Sequence, residues 1–405
     1  MTLLDDLRAS PNPVAAHYTA AGVADRLLLT GHSHQAWPDV AVEVVADGVR
    51  EALALLDDKW ERAFAHADRV RAGYRAWLHD AGAGLALGVN THELVVRFLS
   101  ALDLRTRPRL VTTDGEFHTL RRQLARLAEA GLELERVPAA PVETLAARLA
   151  AACDDRTAAV LVSAVLFETA EVVPGLADLA AATARTGAEL LVDAYHALGP
   201  VPFEVRALGL EAAWVVGGGY KYLQLGEGNC FLRVPAHGDR LRPAITGWYA
   251  EFDALADEHD PDRVAYGRGA SRFAGATYDP LSHVRAGAVM DFFAARGWDV
   301  ATLHASYRHQ LEVLAEAFDA LDTDPAVVTR DRDTPLERLG GFLSLRAAHA
   351  GELQRALRER GVHTDARGTA LRLGPAPYLS DAQLRAAVEE LGAVASTPSR
   401  ASRAE

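Results

Sequence analysis

The pattern of apolar and polar positions divides the chain into stretches of different character. Residues 1–40 are broken up by proline and glycine, which predicts an arm of loops. Helical periodicity follows at 40–56 and 61–79. From about Arg109, short apolar or β-branched runs alternate with helix-like stretches; the runs are 110–112, 132–134, 158–162, 190–192 and 213–216, and the helical stretches are 119–130, 142–152 and 176–186. This order predicts an α/β fold with a mostly parallel sheet that helices cover on both faces.

The pattern changes again after Pro280. A long helical region, roughly 282–321, precedes a strand, a helix, a second strand and a last helix at 341–345, 351–360, 370–373 and 380–391. This sequence of elements predicts a smaller C-terminal α+β domain. We therefore expect an arm at 1–40, a large domain at 41–280, a small domain at 281–395 and a frayed tail at 396–405.

Composition and charge narrow the classes of partner. Apolar residues make up 49% and charged residues 24% of the 405 positions, which is typical of a globular protein. The net charge of −13 argues against binding to nucleic acid or to an anionic membrane, so we expect small-molecule partners. No apolar run reaches the length of a membrane span, and the N-terminus lacks the order of a signal peptide, which favours a cytoplasmic location. Cys153 and Cys230 are far apart, so neither a disulfide framework nor a metal site is expected.

Lysine is rare in this chain. Of its 42 basic residues only Lys59 and Lys221 are lysines. Arginine serves wherever a fixed positive charge suffices, and a retained lysine is a candidate for chemistry that needs an amine able to lose its proton. Chance retention is an equally good explanation for Lys59.

Lys221 follows a buried strand and three glycines, at 217–219. Asp193 ends a different strand, and His196 lies three positions further on. Because ligands of parallel sheets gather at the carboxyl ends of strands, these side chains are expected to face one pocket. Pyridoxal 5'-phosphate (PLP) needs this combination: an amine for the covalent bond, a carboxylate for the ring nitrogen and donors for the phosphate. Each signal is weak alone, since a strand-end Asp is more often a turn former.

From Leu29 to Leu391 the chain resembles kynureninase, within the class V aminotransferase group of PLP enzymes. Residues 193–199 are similar to the family's Asp-x-Ala-His-x-x-Gly, residues 220–223 match its Tyr-Lys-Tyr-Leu, and the glycine-rich segment 226–228 follows as in the family. The resemblance implies fold type I, with a seven-stranded sheet, and a homodimer with active sites at the interface. It implies that Lys221 binds PLP covalently, that Asp193 pairs with the ring nitrogen, and that His196 and Tyr220 contact the phosphate.

The resemblance extends to further positions, residue by residue. It implies cofactor binding by Asn90, Thr91, Phe117, Thr119 and Ser163. Thr91 would bind the phosphate at a helix start, Phe117 would stack on the ring, and Ser163 would lie near the ring at a strand end. Trp248 and Thr277 would help bind phosphate, one of them across the dimer interface. Arg372 would hold the substrate α-carboxylate, which suits its planar fork. Without the family match, Phe117 and Trp248 would be read as core aromatics and Arg372 as a surface arginine.

Departures from the family affect the substrate pocket. Ser33 is kept in the family's substrate-binding loop, but its neighbours become polar, among them His34. Residues 67–69 replace the Gly-His-Glu that follows the shared Asp58-Lys59-Trp60, which removes the histidine that would face kynurenine. Tyr195 stands where the family has a small alanine against the cofactor ring. The cofactor chemistry is therefore expected to be retained and the aryl pocket to be altered.

These observations leave several reactions open. A kynureninase-like Cβ–Cγ hydrolysis that releases alanine is the first hypothesis. The alternatives are a PLP-dependent aminotransferase, a β-eliminating C–S lyase, an epimerase and, less favoured, a PLP-binding protein without turnover. A cysteine desulfurase mechanism is disfavoured because the segment 327–340, where its persulfide-carrying cysteine is expected, contains no cysteine.

Overall fold

The computed structural model describes residues 2–256, 260 and 262–396, so the expected tail, beyond its first residue, lies outside the described residues. The helices are α1 Leu3–Arg8, α2 Val40–Leu55, α3 Lys59–Trp77, α4 Thr91–Ser100, α5 His118–Glu129, α6 Leu145–Ala151, α7 Leu176–Thr186, α8 Leu281–Ala295, α9 Val300–Asp319, α10 Ala350–Glu359 and α11 Asp381–Ala395. The strands are β1 Leu27–Leu28, β2 Gly84–Gly88, β3 Arg109–Thr113, β4 Glu133–Val137, β5 Thr157–Ser163, β6 Glu189–Asp193, β7 Trp214–Gly217, β8 Cys230–Val234, β9 Thr329–Arg330, β10 Leu343–Arg346, β11 Val362–His363, β12 Asp365–Arg367 and β13 Ala370–Leu373.

A seven-stranded sheet organises the large domain, in the order β2-β8-β7-β6-β5-β3-β4. The strands β3 to β7 pair in parallel, and β8 runs antiparallel to both of its neighbours. Every residue of β5 is buried, as expected for a central parallel strand with a layer on each face. The mostly parallel α/β sheet predicted from the sequence is confirmed.

The helices cover both faces of this sheet because successive strand side chains point to opposite sides. Ala159 and Leu161 of β5 pack in a core cluster with α4 and α5. Val160 and Val162 of the same strand pack in a second cluster that includes residues of α6, α7 and α9. The short parallel strands are thus enclosed, and their carboxyl ends meet at one edge of the sheet.

The C-terminal part contains a four-stranded antiparallel sheet, in the order β12-β13-β10-β9, with α10 packed against β12 and β13 and α11 packed against α10. The single helical region expected at 282–321 is instead two helices. Gly297 adopts a φ of 66° after α8, and Asp299 caps α9 by accepting a hydrogen bond from the Thr302 N–H at 2.8 Å. Helix α8 packs against α2 and α3, whereas α9 packs against α11.

The arm forms hydrogen bonds with the C-terminal part of the chain. Strand β1 pairs in parallel with β11, and Thr30 forms an isolated bridge with Gly374. The Asn12 amide donates to the carbonyl of Pro377 at 3.0 Å. Within the described ranges, no helix is both long and apolar enough to cross a membrane, and no group of three or more acidic, histidine or cysteine side chains could hold a metal ion.

Candidate active site

Three neighbouring strands bring their last residues to the same edge of the sheet. Ser163 ends β5 and is paired in register with Asp193, which ends β6. Gly217 ends the next strand, β7, and the chain then turns through two more glycines to Lys221. The turn needs small residues because a Cβ on Gly219 would lie 2.3 Å from Leu225 Cδ1. The local sequence therefore folds Lys221 back over the strand ends.

A cavity of about 410 Å³ lies above this edge. The predicted site residues that line it are Asn90, Thr91, Phe117, Thr119, Ser163, Asp193, His196, Tyr220 and Lys221. The structure thus brings together the residues that the sequence placed on separate strands and loops. Ser33, His34, Trp248, Thr277 and Arg372 do not line this cavity.

Lys221 is buried in the wall of the cavity, at 6% exposure. Its Nζ lies 2.7 Å from His196 Nε2, and 5.4 and 5.0 Å from the centres of the Phe117 and Tyr195 rings. Burial lowers the pKa of Lys221 far below that of a free lysine, and the nearby Asp193 carboxylate offsets part of this effect. Burial also holds the pKa of His196 well below its ordinary value. The lowered pKa makes the neutral, nucleophilic form of the Lys221 amine more accessible than in a free lysine.

Asp193 faces the same space. Its Oδ1 accepts a hydrogen bond from the Tyr195 N–H at 2.9 Å, which fixes the carboxyl group at the end of β6. Its enclosed position raises the pKa of Asp193, and the Lys221 charge opposes that rise. A cation placed beside Asp193 would favour the carboxylate form, so the residue suits a protonated ring nitrogen.

The first turn of α4 forms another wall. Asn90 is the N-cap, and its side chain accepts the Glu93 N–H at 2.9 Å. Val89, Thr91 and His92 also line the cavity at this helix start. Because the N–H groups of a first turn point outward with the positive end of the helix dipole, this wall suits an anion such as phosphate.

The arm contributes to the mouth of the cavity. The His34 ring stacks on Tyr220, with ring centres 4.8 Å apart and an angle of 19° between the planes. His34 Nε2 lies 3.6 Å from an oxygen of Glu227, a residue that lines the cavity. Ser33 Oγ lies 3.2 Å from His34 Nδ1. His34 thus lies over Tyr220 at the rim, and Ser33 lies beside His34.

Arg372 lies behind the cavity and is already engaged. One amino group donates to the Phe167 carbonyl at 2.5 Å, and the other pairs with Asp365, its cross-strand neighbour in β12. His32 Nε2 lies 3.6 Å from the same carboxylate. Arg372 Nε is buried without a hydrogen-bond partner. In this conformation both terminal amino groups of Arg372 are occupied, so carboxylate binding by Arg372 remains a prediction.

Trp248 and Thr277 form a separate cluster. The indole N–H of Trp248 donates to Thr277 Oγ1 at 3.3 Å, and the Trp248 side chain is 46% exposed. Thr277 lines a second, larger cavity of about 710 Å³, which also contains Phe64, Tyr249 and His283. Within one chain these two residues do not reach the Lys221 cavity, so their predicted phosphate contacts would need a second subunit.

Sequence reasoning assigned no role to three residues that shape the site. Glu116 is buried directly before Phe117, Asp365 pairs with Arg372, and Cys230 lines the cavity at the start of β8. Glu116 stands inside the motif around Phe117, which is a signal that could have pointed to it. The partner of Arg372 could not be read from the sequence, since it depends on the register of β12 and β13.

The chain matches no protein-family model and no curated protein sequence. Among solved structures it is similar to C-DES, a cystine C–S lyase, in complex with its product cysteine persulfide (17% identity, TM-score 0.79, covering 92% of this chain and 98% of that chain). It is also similar to a C-DES mutant whose PLP cofactor is covalently linked to glycine (16% identity, TM-score 0.81, covering 94% and 99%). A third similar structure is the apo cysteine desulfurase from Thermococcus onnurineus NA1 (15% identity, TM-score 0.78, covering 96% and 98%). At these identities the likeness establishes the fold, and the chain therefore has the fold shared by these enzymes.

Proposed function

We propose that this chain is a PLP-dependent lyase that acts on an α-amino acid. The observation that carries the proposal is the amine of Lys221, buried in the wall of a cavity that Asp193 also lines, at the carboxyl ends of β5, β6 and β7. A buried lysine without a salt-bridge partner is costly to fold, which favours a chemical role for it. The similar C-DES mutant, which contains PLP, supports the same cofactor.

The residues present fit PLP. A cavity of about 410 Å³ has the size of a small-molecule site, and Phe117 and Tyr195 supply aromatic surface to it. Lys221 would hold the cofactor covalently, Asp193 would pair with its ring nitrogen, and the α4 start with Thr91 would hold its phosphate. His196 and Tyr220 are also expected at the phosphate, together with Trp248 and Thr277 of a second subunit.

PLP, when bound, supplies an electron sink that weakens the bonds at the substrate's α-carbon. The chain's own part is to position groups and move protons. Lys221 Nζ is the group placed to take the α-proton, and His196 Nε2 at 2.7 Å orients that amine. Asp193 balances positive charge on the ring nitrogen. Tyr220 and His34 close the rim and limit the access of water.

Among the reactions left open by the sequence, we favour β-elimination at a C–S bond. The solved structures named above include a C–S lyase and a desulfurase, which supports this alternative, whereas none of the three is a kynurenine hydrolase. Kynureninase-like hydrolysis and amino transfer remain weaker proposals. The sulfur would leave as a small molecule, because burial raises the pKa of the Cys230 thiol to about 12 and also raises that of Cys153.

The cofactor can be tested directly because the chain has two lysines. We expect PLP added to the purified protein to give a visible absorbance band, and borohydride to fix the cofactor on the peptide that contains Lys221. Lys221→Ala should abolish the fixed adduct, whereas the matched variant Lys59→Ala should retain it. Mass spectrometry of the digested protein measures both. An adduct on Lys59 alone, or no band in the wild type, would overturn the proposal.

The reaction can then be assigned by its products. Cystine and cysteine conjugates should release pyruvate, ammonia and a sulfur compound, and Lys221→Ala should show a rate lower by at least about a thousandfold. Kynurenine and 3-hydroxykynurenine should give little alanine. Alanine as the main product from kynurenine would instead support hydrolysis, and release of a keto acid with retention of the side chain would support amino transfer.

A further inference from the structure

Glu116 is a buried carboxyl group that the proposed reaction does not use. It is 1% exposed and does not line the Lys221 cavity. One of its oxygens, Oε1, accepts the Ser163 N–H at 3.1 Å and the Thr113 hydroxyl at 2.9 Å. The other, Oε2, lies 2.6 Å from Ser163 Oγ. Glu116 thus joins the carboxyl ends of β3 and β5 directly behind a residue that lines the cavity.

The two oxygens of Glu116 are not equivalent. Since Oε1 already accepts two hydrogen bonds, a proton on Glu116 must reside on Oε2, where Ser163 Oγ is the neighbour. With Glu116 ionised, the Ser163 hydroxyl donates to Oε2 and has only lone pairs left for a ligand. With Glu116 protonated, Oε2–H donates to Ser163 Oγ, and the serine hydrogen is free to turn to the cavity.

We infer that Glu116 is a positioning residue that sets the hydrogen-bond polarity of Ser163 toward the cavity, as an acceptor when Glu116 is ionised and as a donor when it is protonated. The ligand chemistry is that of a group able both to give and to accept a hydrogen bond. The ring hydroxyl of PLP is such a group, so the inference rests on the proposed function.

The surroundings of Glu116 allow both states near neutral pH. Burial raises the pKa of Glu116 to about 7, against the opposing hydrogen bonds from Ser163 and Thr113. Asp193, at the end of β6, is the charged group that faces Glu116, and its negative charge adds to the rise. Lys221 acts on Asp193 in turn. A pH titration of the wild type alone would mix these groups, so the test needs variants.

The Glu116→Gln variant separates the effect of Glu116 from those of Asp193 and Lys221. Glutamine has the same shape as glutamate, but its oxygen can only accept a hydrogen bond and its NH₂ group can only donate one. Its oxygen must take the Oε1 position, where two donors point, which puts its NH₂ group against Ser163 Oγ. The variant is thus a permanent copy of the protonated form. We expect its affinity for PLP and its absorbance band to match those of the wild type below pH 7, and its affinity to differ by about tenfold above pH 7.

Two further variants make the result decisive. In Ser163→Ala, the PLP affinity should lose the same part of its pH dependence that is lost in Glu116→Gln. In the double variant, the PLP affinity should differ from that of Ser163→Ala by less than about twofold. Thr113→Val keeps the bond between Glu116 and Ser163 but removes a hydrogen bond that lowers the Glu116 pKa, so the pH dependence should persist with its midpoint at higher pH. Thermal unfolding of each variant checks that it is folded.

The inference fails if Glu116→Gln follows the wild type at every pH, or if its effect persists in the Ser163→Ala background. It fails equally if Thr113→Val abolishes the pH dependence as Glu116→Gln does, since the cause would then be the integrity of the loop. Should Glu116→Gln not fold, Ser163→Ala alone decides the outcome, because an unchanged pH dependence there excludes the serine. A wild type that binds no PLP overturns the proposed function and this inference together.

Discussion

His32 is a fully buried histidine in the wall behind the cavity, between Asp365 and Phe342. Its ring centre lies 4.7 Å from that of Phe342, and neither ring nitrogen has a well-formed hydrogen bond. Burial lowers the pKa of His32 from 6.5 to about 4, although the Asp365 carboxylate 3.6 Å away opposes this change. The native chain therefore holds a neutral imidazole that the unfolded chain would protonate in mild acid.

This difference predicts a pH-dependent stability. Between pH 6.5 and pH 4 the unfolded state binds the His32 proton and the native state does not, so stability falls as the pH falls through that window. The full effect is about 3 kcal/mol. The His32→Phe variant has no imidazole to protonate at this position, so it lacks this loss of stability. As the pH drops from 6.5 to 4, its free energy of unfolding should rise by about 3 kcal/mol relative to that of the wild type. Urea unfolding at several pH values measures it, and a constant difference would refute the prediction.

The strand-end residues show what the sequence could establish about the site. Ser163, Asp193 and Lys221 each follow an apolar run, so a local pattern was enough to place them at one edge. The ion pair between Asp365 and Arg372 could not be predicted in this way, because it arises from the register of two short strands. Periodicity says which face a residue occupies, and not which charge lies opposite it.

At the scale of elements, buried apolar strands were predicted well and irregular ones were missed. Residues 158–162, 190–192 and 213–216 fall within β5, β6 and β7 apart from one residue. Strands β2 and β8 gave no comparable signal, since β2 begins and ends with glycine and β8 contains Arg233. Arg233 is buried in an ion pair with Asp80 at 2.8 Å. The hydrophobic pattern of a sequence does not distinguish a buried, paired charge from a charge on the surface.

The arm depends on a close backbone contact that only glycine permits. Gly31 donates its N–H to the Gly374 carbonyl at 2.8 Å, and a Cβ on Gly31 would lie 2.1 Å from the Pro375 carbonyl oxygen. We expect Gly31→Ala to lower the free energy of unfolding by about 2 kcal/mol and to expose the arm to proteolysis. Gly82→Ala is the matched control, because a Cβ there meets nothing within 4 Å. Equal melting temperatures and digestion patterns for the two variants would contradict this account.

At the scale of the whole molecule, exposed apolar side chains fall in two groups, and we expect them to contact a second copy of the chain. One group lies on α2 and just after it, and the other lies in the segment 245–264; the residues are Val42, Val49, Leu53, Leu56, Ile245, Trp248, Phe252, Leu255 and Val264. Exposed apolar side chains that cluster are candidates for an interaction surface. The second group includes Trp248, which the family resemblance assigns to a site shared between subunits.

A homodimer with shared sites makes a specific prediction. Light scattering should give twice the 43.4 kDa mass of the chain. Lys221→Ala and Trp248→Ala should each bind PLP poorly, by about tenfold or more, and a mixed dimer of the two should recover binding in one of its two sites. The recovery follows because one subunit keeps its lysine while the other keeps its tryptophan. A monomer in solution, or no recovery on mixing, would exclude shared sites.

The pairing of β1 with β11 has a consequence for biosynthesis. The arm leaves the ribosome early, whereas the strand that it pairs with is made only in the last part of translation. At ordinary elongation rates the delay is on the order of tens of seconds. Throughout that time β1 lacks its strand partner, although Tyr220, on which His34 stacks, has already been made. We therefore expect the arm to become fixed in place only after β11 has been made.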